Sequence, residues 1–134
     1  MKEIQEFIDN WTETESQNRQ AFIEIFEHLK TFEDTTLEFN ARPKVSYSLR
    51  PRHNSQKNRS LFAMVDVIDD DPDERWLSIC FYGEMITDPD ENGELIPEGL
   101  LGEDGYCFDL YEYDAEQINY IKQRLTQAHG NAKE

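Results

Sequence analysis

The fold class is decided by residues 37–50, which read Leu-Glu-Phe-Asn-Ala-Arg-Pro-Lys-Val-Ser-Tyr-Ser-Leu-Arg. Before Asp34 the apolar residues recur at helical spacing, whereas in this stretch they alternate with polar residues. This alternation predicts a strand with one buried face and one hydrated face. Because Pro43 has no backbone N–H to donate, it indicates an edge strand or a bulge near the middle of the stretch.

Two amphipathic helices are predicted before this stretch. Their apolar stripes follow the i, i+3, i+4, i+7 pattern, in the first helix at Ile4, Phe7, Ile8 and Trp11 and in the second at Phe22, Ile25, Phe26 and Leu29. We place a break near residues 12–16, because Thr12-x-x-Glu15 is a capping-box pattern that could restart the helix.

Strands and a final helix are predicted after it. Residues 51–59 are polar and typical of a hairpin loop, and strands are expected at residues 61–68, 76–82 and 106–113. Asp114 is expected to cap a C-terminal helix that ends at Gly130.

Residues 83–105 are the least regular stretch, and we expect a long acidic loop there. The whole pattern predicts one α+β domain over residues 1–134. Its antiparallel sheet has about four strands, and two N-terminal helices and one C-terminal helix pack on one sheet face.

Composition narrows the class of protein. The chain has 134 residues, 37% of them hydrophobic and 12% aromatic, which is enough for one packed core. It carries 13 basic and 29 acidic residues, and this acidity disfavours binding of nucleic acid or anionic lipid by the body of the protein. With no signal-peptide pattern and no apolar run of membrane-spanning length, we expect a cytoplasmic protein of unknown oligomeric state.

Cys80 and Cys107 are expected to be buried thiols, with a disulfide between neighbouring strands as the alternative.

All the charge of one internal stretch is positive. Residues 40–60 contain no acid, and we call residues 42–59, which hold their six lysines and arginines, the basic segment. Three interpretations stand: binding of an acidic partner protein, binding of phosphate or nucleic acid, and internal docking against the acidic loops. We expect a binding protein that engages an acidic partner protein, and the candidate contact residues are Lys44, Arg50, Arg52, His53, Lys57 and Arg59.

A calcium site is the alternative in the loop at 88–98. Asp88, Asp90 and Asn92 stand at positions 1, 3 and 5 of a calcium-loop pattern, with Gly93 at position 6. The pattern then fails, because position 12 is Gly99 where a bidentate Glu is required. An ordinary acidic turn is the simpler interpretation, so no cofactor is expected unless this loop holds calcium.

Catalytic patterns are absent from the sequence, so an enzyme is less expected than a binding protein. There is no Gly-x-Ser-x-Gly elbow, no phosphate-binding Gly-Lys-Ser/Thr loop and no His-Glu-x-x-His helix. A hydrolase using Asp66 or Cys80 remains a further alternative, and for Cys80 it requires exposure near His53. The acidic residues 69–74 are expected to be a solvated hairpin tip.

The layout resembles the small α+β domains grouped as YdhG-like. Residues 43–47, Pro-Lys-Val-Ser-Tyr, and residues 61–65, Leu-Phe-Ala-Met-Val, carry the resemblance, which spans residues 20–125 by layout. It implies two N-terminal helices, a curled antiparallel sheet and a closing helix. The acidic insert at 83–105 departs from that pattern, and the resemblance implies no catalytic residues.

Overall fold

A six-stranded antiparallel sheet and three helices make up the fold. The structure, a computed structural model, describes residues 1–134. In chain order the elements are α1 (Lys2–Asn10), α2 (Asn18–Lys30), β1 (Thr35–Arg42), β2 (Ser46–His53), β3 (Met64–Ile68), β4 (Trp76–Tyr82), a 3-10 helix (Gly83–Met85), β5 (Glu94–Leu100), β6 (Glu103–Leu110) and α3 (Ala115–Asn131). The prediction of an antiparallel α+β fold with three helices is confirmed.

The expected number of about four strands is wrong, because two of the predicted elements each contain a further strand. The strand order is β1-β2-β3-β4-β6-β5, and every neighbouring pair is antiparallel. Residues 37–50 form the hairpin β1–β2 instead of one strand. Pro43 lies in the tight turn, where Lys44 takes a positive φ of 70° and its backbone N–H donates to the Asp69 carboxylate. The turn explains why the alternation continues on both sides of Pro43.

The long acidic loop expected at residues 83–105 is also corrected. It contains a 3-10 helix, all of β5 and the start of β6. The β5–β6 hairpin turns at Leu101 and Gly102, both with positive φ, and its register is irregular between Ile96 and Leu100. Strand β5 is mostly exposed and contains Pro97, so it lacks the apolar alternation that identifies a strand from sequence.

The helix breaks and caps follow local side-chain chemistry. The expected break lies between α1 and α2, and Gln17 occupies the N-cap position of α2 without a side-chain hydrogen bond. The Glu13 carboxylate, rather than Thr12, accepts hydrogen bonds from the first-turn N–H groups of Arg19 and Gln20. The cap of α3 is confirmed, since Asp114 accepts from the N–H of Gln117 and of the residue before it.

One buried cluster joins all three helices to one face of the sheet. The central strand β4 contributes Leu77, Ile79 and Phe81, each fully buried, and α1 contributes Phe7, whose ring stacks on Tyr47 of β2 at 4.3 Å. The alternating residues of the same strands point to the opposite face of the sheet. No helix of the structure is both long enough and apolar enough to cross a membrane.

A buried asparagine ties α2 to the chain segments that flank the sheet. The Asn18 side-chain amide donates to the backbone carbonyls of Arg75 and Tyr111, both at 2.9 Å, and the residue is 1% exposed. These bonds satisfy carbonyls at the start of β4 and just after β6. A buried acceptor that loses its donor costs free energy, so Asn18 fixes where α2 sits along the sheet.

We expect Asn18→Leu to lower the free energy of unfolding by about 2 kcal/mol, because two carbonyls lose their donor. Urea unfolding followed by circular dichroism measures the change. The matched control is Asn119→Leu on the exposed surface of α3, which we expect to change stability by less than about 0.5 kcal/mol. Equal effects of the two substitutions would contradict the assigned role of Asn18.

The two cysteines form a disulfide between neighbouring strands. Cys80 of β4 lies directly opposite Cys107 of β6, with their Cα atoms 4.1 Å apart. The expectation of two free thiols is therefore wrong, and the alternative of a cross-strand disulfide holds. The bond closes a segment of 27 residues that includes the whole of β5.

Reduction of this disulfide is expected to lower the free energy of unfolding by about 3–4 kcal/mol, the chain-entropy value for a loop of this length. Urea unfolding of the same protein with and without reductant measures the difference. Intact mass under native conditions should be lower by two hydrogen atoms than that of the reduced chain. Rapid alkylation of both cysteines in the non-reduced protein would show that they are not paired.

Candidate binding face

The sheet face opposite the helices, which we call the open face, carries most of the chain's polar strand residues. Its members alternate with the buried core residues along each strand. They are Glu38, Asn40 and Arg42 of β1; Ser46, Ser48, Arg50 and Arg52 of β2; Met64, Asp66 and Ile68 of β3; Trp76, Ser78, Cys80 and Tyr82 of β4; Cys107 and Asp109 of β6; and Glu94 and Ile96 of β5.

A continuous polar row crosses the open face. The row contains one residue from each of five neighbouring strands, and each residue lies directly opposite the next one in the strand register. The five residues are Asn40, Ser48, Asp66, Ser78 and Asp109. Polar residues on the inner strands of a sheet are unusual unless that face meets water or a partner. The sequence predicted a wet face on the first strand but not this row, because only the strand register brings the five residues together.

Asp66 is a partly buried member of the row. Its Oδ1 atom is inaccessible to solvent and has no hydrogen-bond partner. Burial raises the pKa of the Asp66 carboxyl above its ordinary value, and a hydrogen bond from Ser48 and the charge of Arg50 act against that rise. Asp66 also lines a cleft of about 470 Å³ on the open face, together with the disulfide, Ser78 and Asp109. The carboxylate is therefore destabilised where it stands.

We expect Asp66→Asn to be more stable than the natural protein at pH 7. A carboxyl whose pKa is raised on folding favours the folded state while it is protonated, and this contribution is lost as the pH rises through the folded pKa. The asparagine avoids that loss, so its advantage should shrink as the pH falls toward the ordinary aspartate pKa. Thermal unfolding between acidic and neutral pH measures the effect. The exposed Asp70→Asn is the control, and an equal gain there would point to net charge instead.

Three arginines of the basic segment lie on the open face without an acidic partner. Arg42 ends β1, and Arg50 and Arg52 lie two residues apart on β2, so all three point to the same side. None of them forms an ion pair, although Glu38 lies opposite Arg50 in the register. The Arg50 Nε instead donates to the Ser48 hydroxyl at 2.9 Å. This half of the open face, formed by β1 and β2, is therefore net positive.

Arg59, by contrast, is paired with carboxylates of the same chain. Its guanidinium forms ion pairs with Glu84 and Glu103, the second at 2.8 Å, and lies 4.0 Å from the ring centre of Tyr82. These hydrogen bonds to carboxylates raise the pKa of Arg59 and lower that of Glu103. Arg59 thus fastens the loop after β2 to the 3-10 helix and β6, which is the internal role considered for the basic segment.

The other predicted contact residues are divided between the core and the surface. His53 is only 3% exposed, its Nδ1 accepts from the N–H of Ser55, and its ring lies beside His129. His53 is thus unavailable to a partner at this surface. Lys44 and Lys57 are exposed, and the Lys57 backbone N–H donates to the Glu134 carboxylate.

The acidic turn between β3 and β4 also combines an internal and an external role. Asp69 is 2% exposed and accepts from the Arg75 guanidinium at 2.6 Å. The residues after it, Asp70, Asp71, Asp73 and Glu74, are exposed. The turn matches the expected solvated tip, except that its first carboxylate anchors both the turn and the hairpin β1–β2.

The candidate calcium residues lie in the loop before β5. The Asp88 carboxylate accepts from the N–H groups of Asn92 and Gly93 and from the Tyr120 hydroxyl. The hydrogen bonds from this hydroxyl and these backbone groups hold the pKa of the Asp88 carboxyl below its ordinary value, against the effect of its burial. Asp90 is exposed, and the Asn92 amide donates to a glutamine of α3.

Asp88 therefore holds the loop onto α3 in the manner of a turn residue. No group of three or more His, Cys, Asp or Glu residues is arranged to hold a metal ion. Calcium binding by Asp88, Asp90 and Asn92 stays a prediction.

The geometry required for catalysis by Cys80, a free thiol exposed near His53, is not present. Cys80 is bonded to Cys107, and His53 lies in the core near His129 rather than on the open face. The nearest side-chain contact of the Cys80 sulfur besides the disulfide is the Ser78 hydroxyl at 3.7 Å. The open face therefore offers charge and surface for binding.

Comparisons with protein-family models, with curated proteins and with solved structures found no match to this chain. The resemblance to YdhG-like domains stays a prediction.

Proposed function

We propose that this is a small binding protein whose basic segment engages an acidic partner protein. The observation that supports the proposal is the presence of three unpaired arginines, Arg42, Arg50 and Arg52, on one side of two adjacent strands. In a chain with 29 acids, cationic side chains on a folded surface readily find an internal partner, as Arg59 and Arg75 do. Three arginines on one sheet face without an acidic partner form a surface suited to an external anion.

The strand geometry gives the three arginines a defined spacing. Arg50 and Arg52 lie about 7 Å apart along β2, whereas Arg42 lies opposite Ser46 and is therefore about 14 Å from Arg50 along the strand direction. A guanidinium array at this spacing matches carboxylates that are likewise separated along a peptide or across a folded surface. On the same face, separated from β2 by β3, Trp76 forms an aromatic pair with Tyr111 at 4.8 Å, and Tyr111 is 63% exposed. Exposed arginine and aromatic side chains together are the usual composition of interface hot spots.

Binding of a fluorescent peptide rich in Asp and Glu, followed by anisotropy, tests the proposal. We expect the double substitution Arg42→Glu, Arg52→Glu to weaken binding at least tenfold, because two attractive charges become repulsive. Affinity should also fall as salt is added, since screening acts on these surface charges. The control is Lys30→Glu, Lys133→Glu, which changes the net charge equally outside the sheet and should leave binding nearly unchanged.

A single-stranded DNA oligonucleotide of similar charge serves as the second ligand. Tighter binding of DNA than of the peptide, with the same loss in Arg42→Glu, Arg52→Glu, would replace the acidic partner with a phosphate-bearing one. Equal loss in both charge-reversal variants would show that only net charge matters. Absence of binding to either ligand would contradict the proposal.

A further inference from the structure

The open face carries opposite charges at its two edges. Strands β1 and β2 at one edge contribute three arginines against a single acid, Glu38. Strands β6 and β5 at the other edge contribute Asp109, Glu94 and Glu103, of which only Glu103 has a cationic partner, Arg59, and no Lys or Arg lines the cleft on that side. The face thus changes sign across the sheet, from net positive to net negative.

The middle of the open face is less polar than either edge. Met64 and Ile68 of β3 lie next to Trp76 of β4 and the Cys80–Cys107 disulfide, and only the polar row interrupts them. An apolar centre flanked by charged edges is the usual anatomy of a protein interface.

We propose that a second copy of this chain covers the open face, so that the basic edge of each copy packs over the acidic edge of the other. This inference rests on the proposed function and identifies its acidic partner. The chain itself is an acidic protein, with a formal net charge of −16, and its acidic residues Asp109 and Glu94 lie on the same surface as the arginines. A self-complementary surface of this kind is what a two-fold dimer requires.

The strand order selects one of the two simple two-fold arrangements. A two-fold axis parallel to the strands, between β3 and β4, superposes β1 and β2 of one copy on β5 and β6 of the other, because three strands lie on each side of that axis. An axis perpendicular to the strands would instead place β2 over β2, so that the basic edge of one copy faces the basic edge of the other. Like charges at such a contact cost several kcal/mol. The axis parallel to the strands brings together only one like-charge pair, Glu38 with Glu94, so the charge pattern favours it.

The dimensions of the face suit this pairing. Six strands span roughly 24 Å, and two packed sheets lie about 10 Å apart, a gap that an arginine side chain can cross for most of its width. The flat area is on the order of 600 Å² per copy, somewhat below the ≈800 Å² per partner of a standard interface. A dimer of modest affinity, which exchanges with monomer, is the expected result.

The large net charge does not prevent this contact at physiological salt. The exposed acids of the turn at 70–74 and the loop before β5 lie outside the face. The Debye length at physiological salt is about 8 Å, much shorter than the width of the sheet. Charges outside the interface are therefore screened, whereas charges that meet across it interact at short range.

Sedimentation velocity at physiological salt tests the inference with three proteins. The first is the natural chain. The second carries both Arg50→Glu and Arg52→Glu (the acidic-face variant), and the third carries both Glu94→Arg and Asp109→Arg (the basic-face variant). We expect a concentration-dependent dimer of the natural chain and at least a tenfold larger dissociation constant for each variant alone. An equimolar mixture of the two variants should form a heterodimer, since a net acidic face then meets a net basic one. Its formation also shows that both variants are folded.

A natural chain that stays monomeric up to near-millimolar concentration would overturn the inference. So would a dimer that neither variant weakens, because its interface would lie elsewhere, and so would two variants that fail to associate when mixed although circular dichroism shows both folded. The acidic-peptide titration separates this failure from failure of the proposed function. A monomer that binds the peptide through Arg42 and Arg52 keeps the function and loses the dimer, whereas a monomer that binds no peptide loses both.

Discussion

The rest of the structure depends on the register of the central strands. In β4, Leu77 and Ile79 face the helices while Ser78 and Cys80 face away, and a slip of one residue against β3 or β6 would exchange the two sets. The core would then receive a serine and a disulfide, and the open face would receive large apolar side chains. The Cys80–Cys107 bond joins directly opposed residues, so it holds the β4–β6 register covalently as well as through hydrogen bonds.

That register also divides the positive charge of the chain. The same alternation that buries Leu49 places Arg50 and Arg52 on the open face, where the neighbouring strand β3 offers only Asp66, whose carboxyl has a pKa raised by burial. Arg59 lies in the loop between β2 and β3, outside the strands, where its guanidinium reaches the Glu103 carboxylate. Position relative to the sheet, more than charge itself, decides which arginines are neutralised internally and which remain for a partner.

Features that depend on local sequence could be predicted, and those that depend on strand pairing could not. The two N-terminal helices, the Asp114 cap and β4 follow from spacing and side-chain chemistry within a few residues. The missing donor of Pro43 indicated an edge strand or a bulge within one strand, not the turn between β1 and β2 that the structure has. Strand β5 shows no alternation because it is an exposed edge strand with Pro97. The polar row across the sheet, and the charge difference between its edges, exist only once the order β4-β6-β5 is known.

The acidic residues around the basic edge determine which anionic ligands can bind there. A long polyanion such as nucleic acid extends beyond the two strands that carry Arg42, Arg50 and Arg52, and there it meets the exposed acids of the neighbouring turns. A compact ligand whose negative charge ends within about one Debye length of the arginines avoids that repulsion. The acidic edge of a second copy is a folded surface of this kind, because Asp109 and Glu94 lie on two neighbouring strands. The same charge pattern thus favours a folded acidic surface over an extended one.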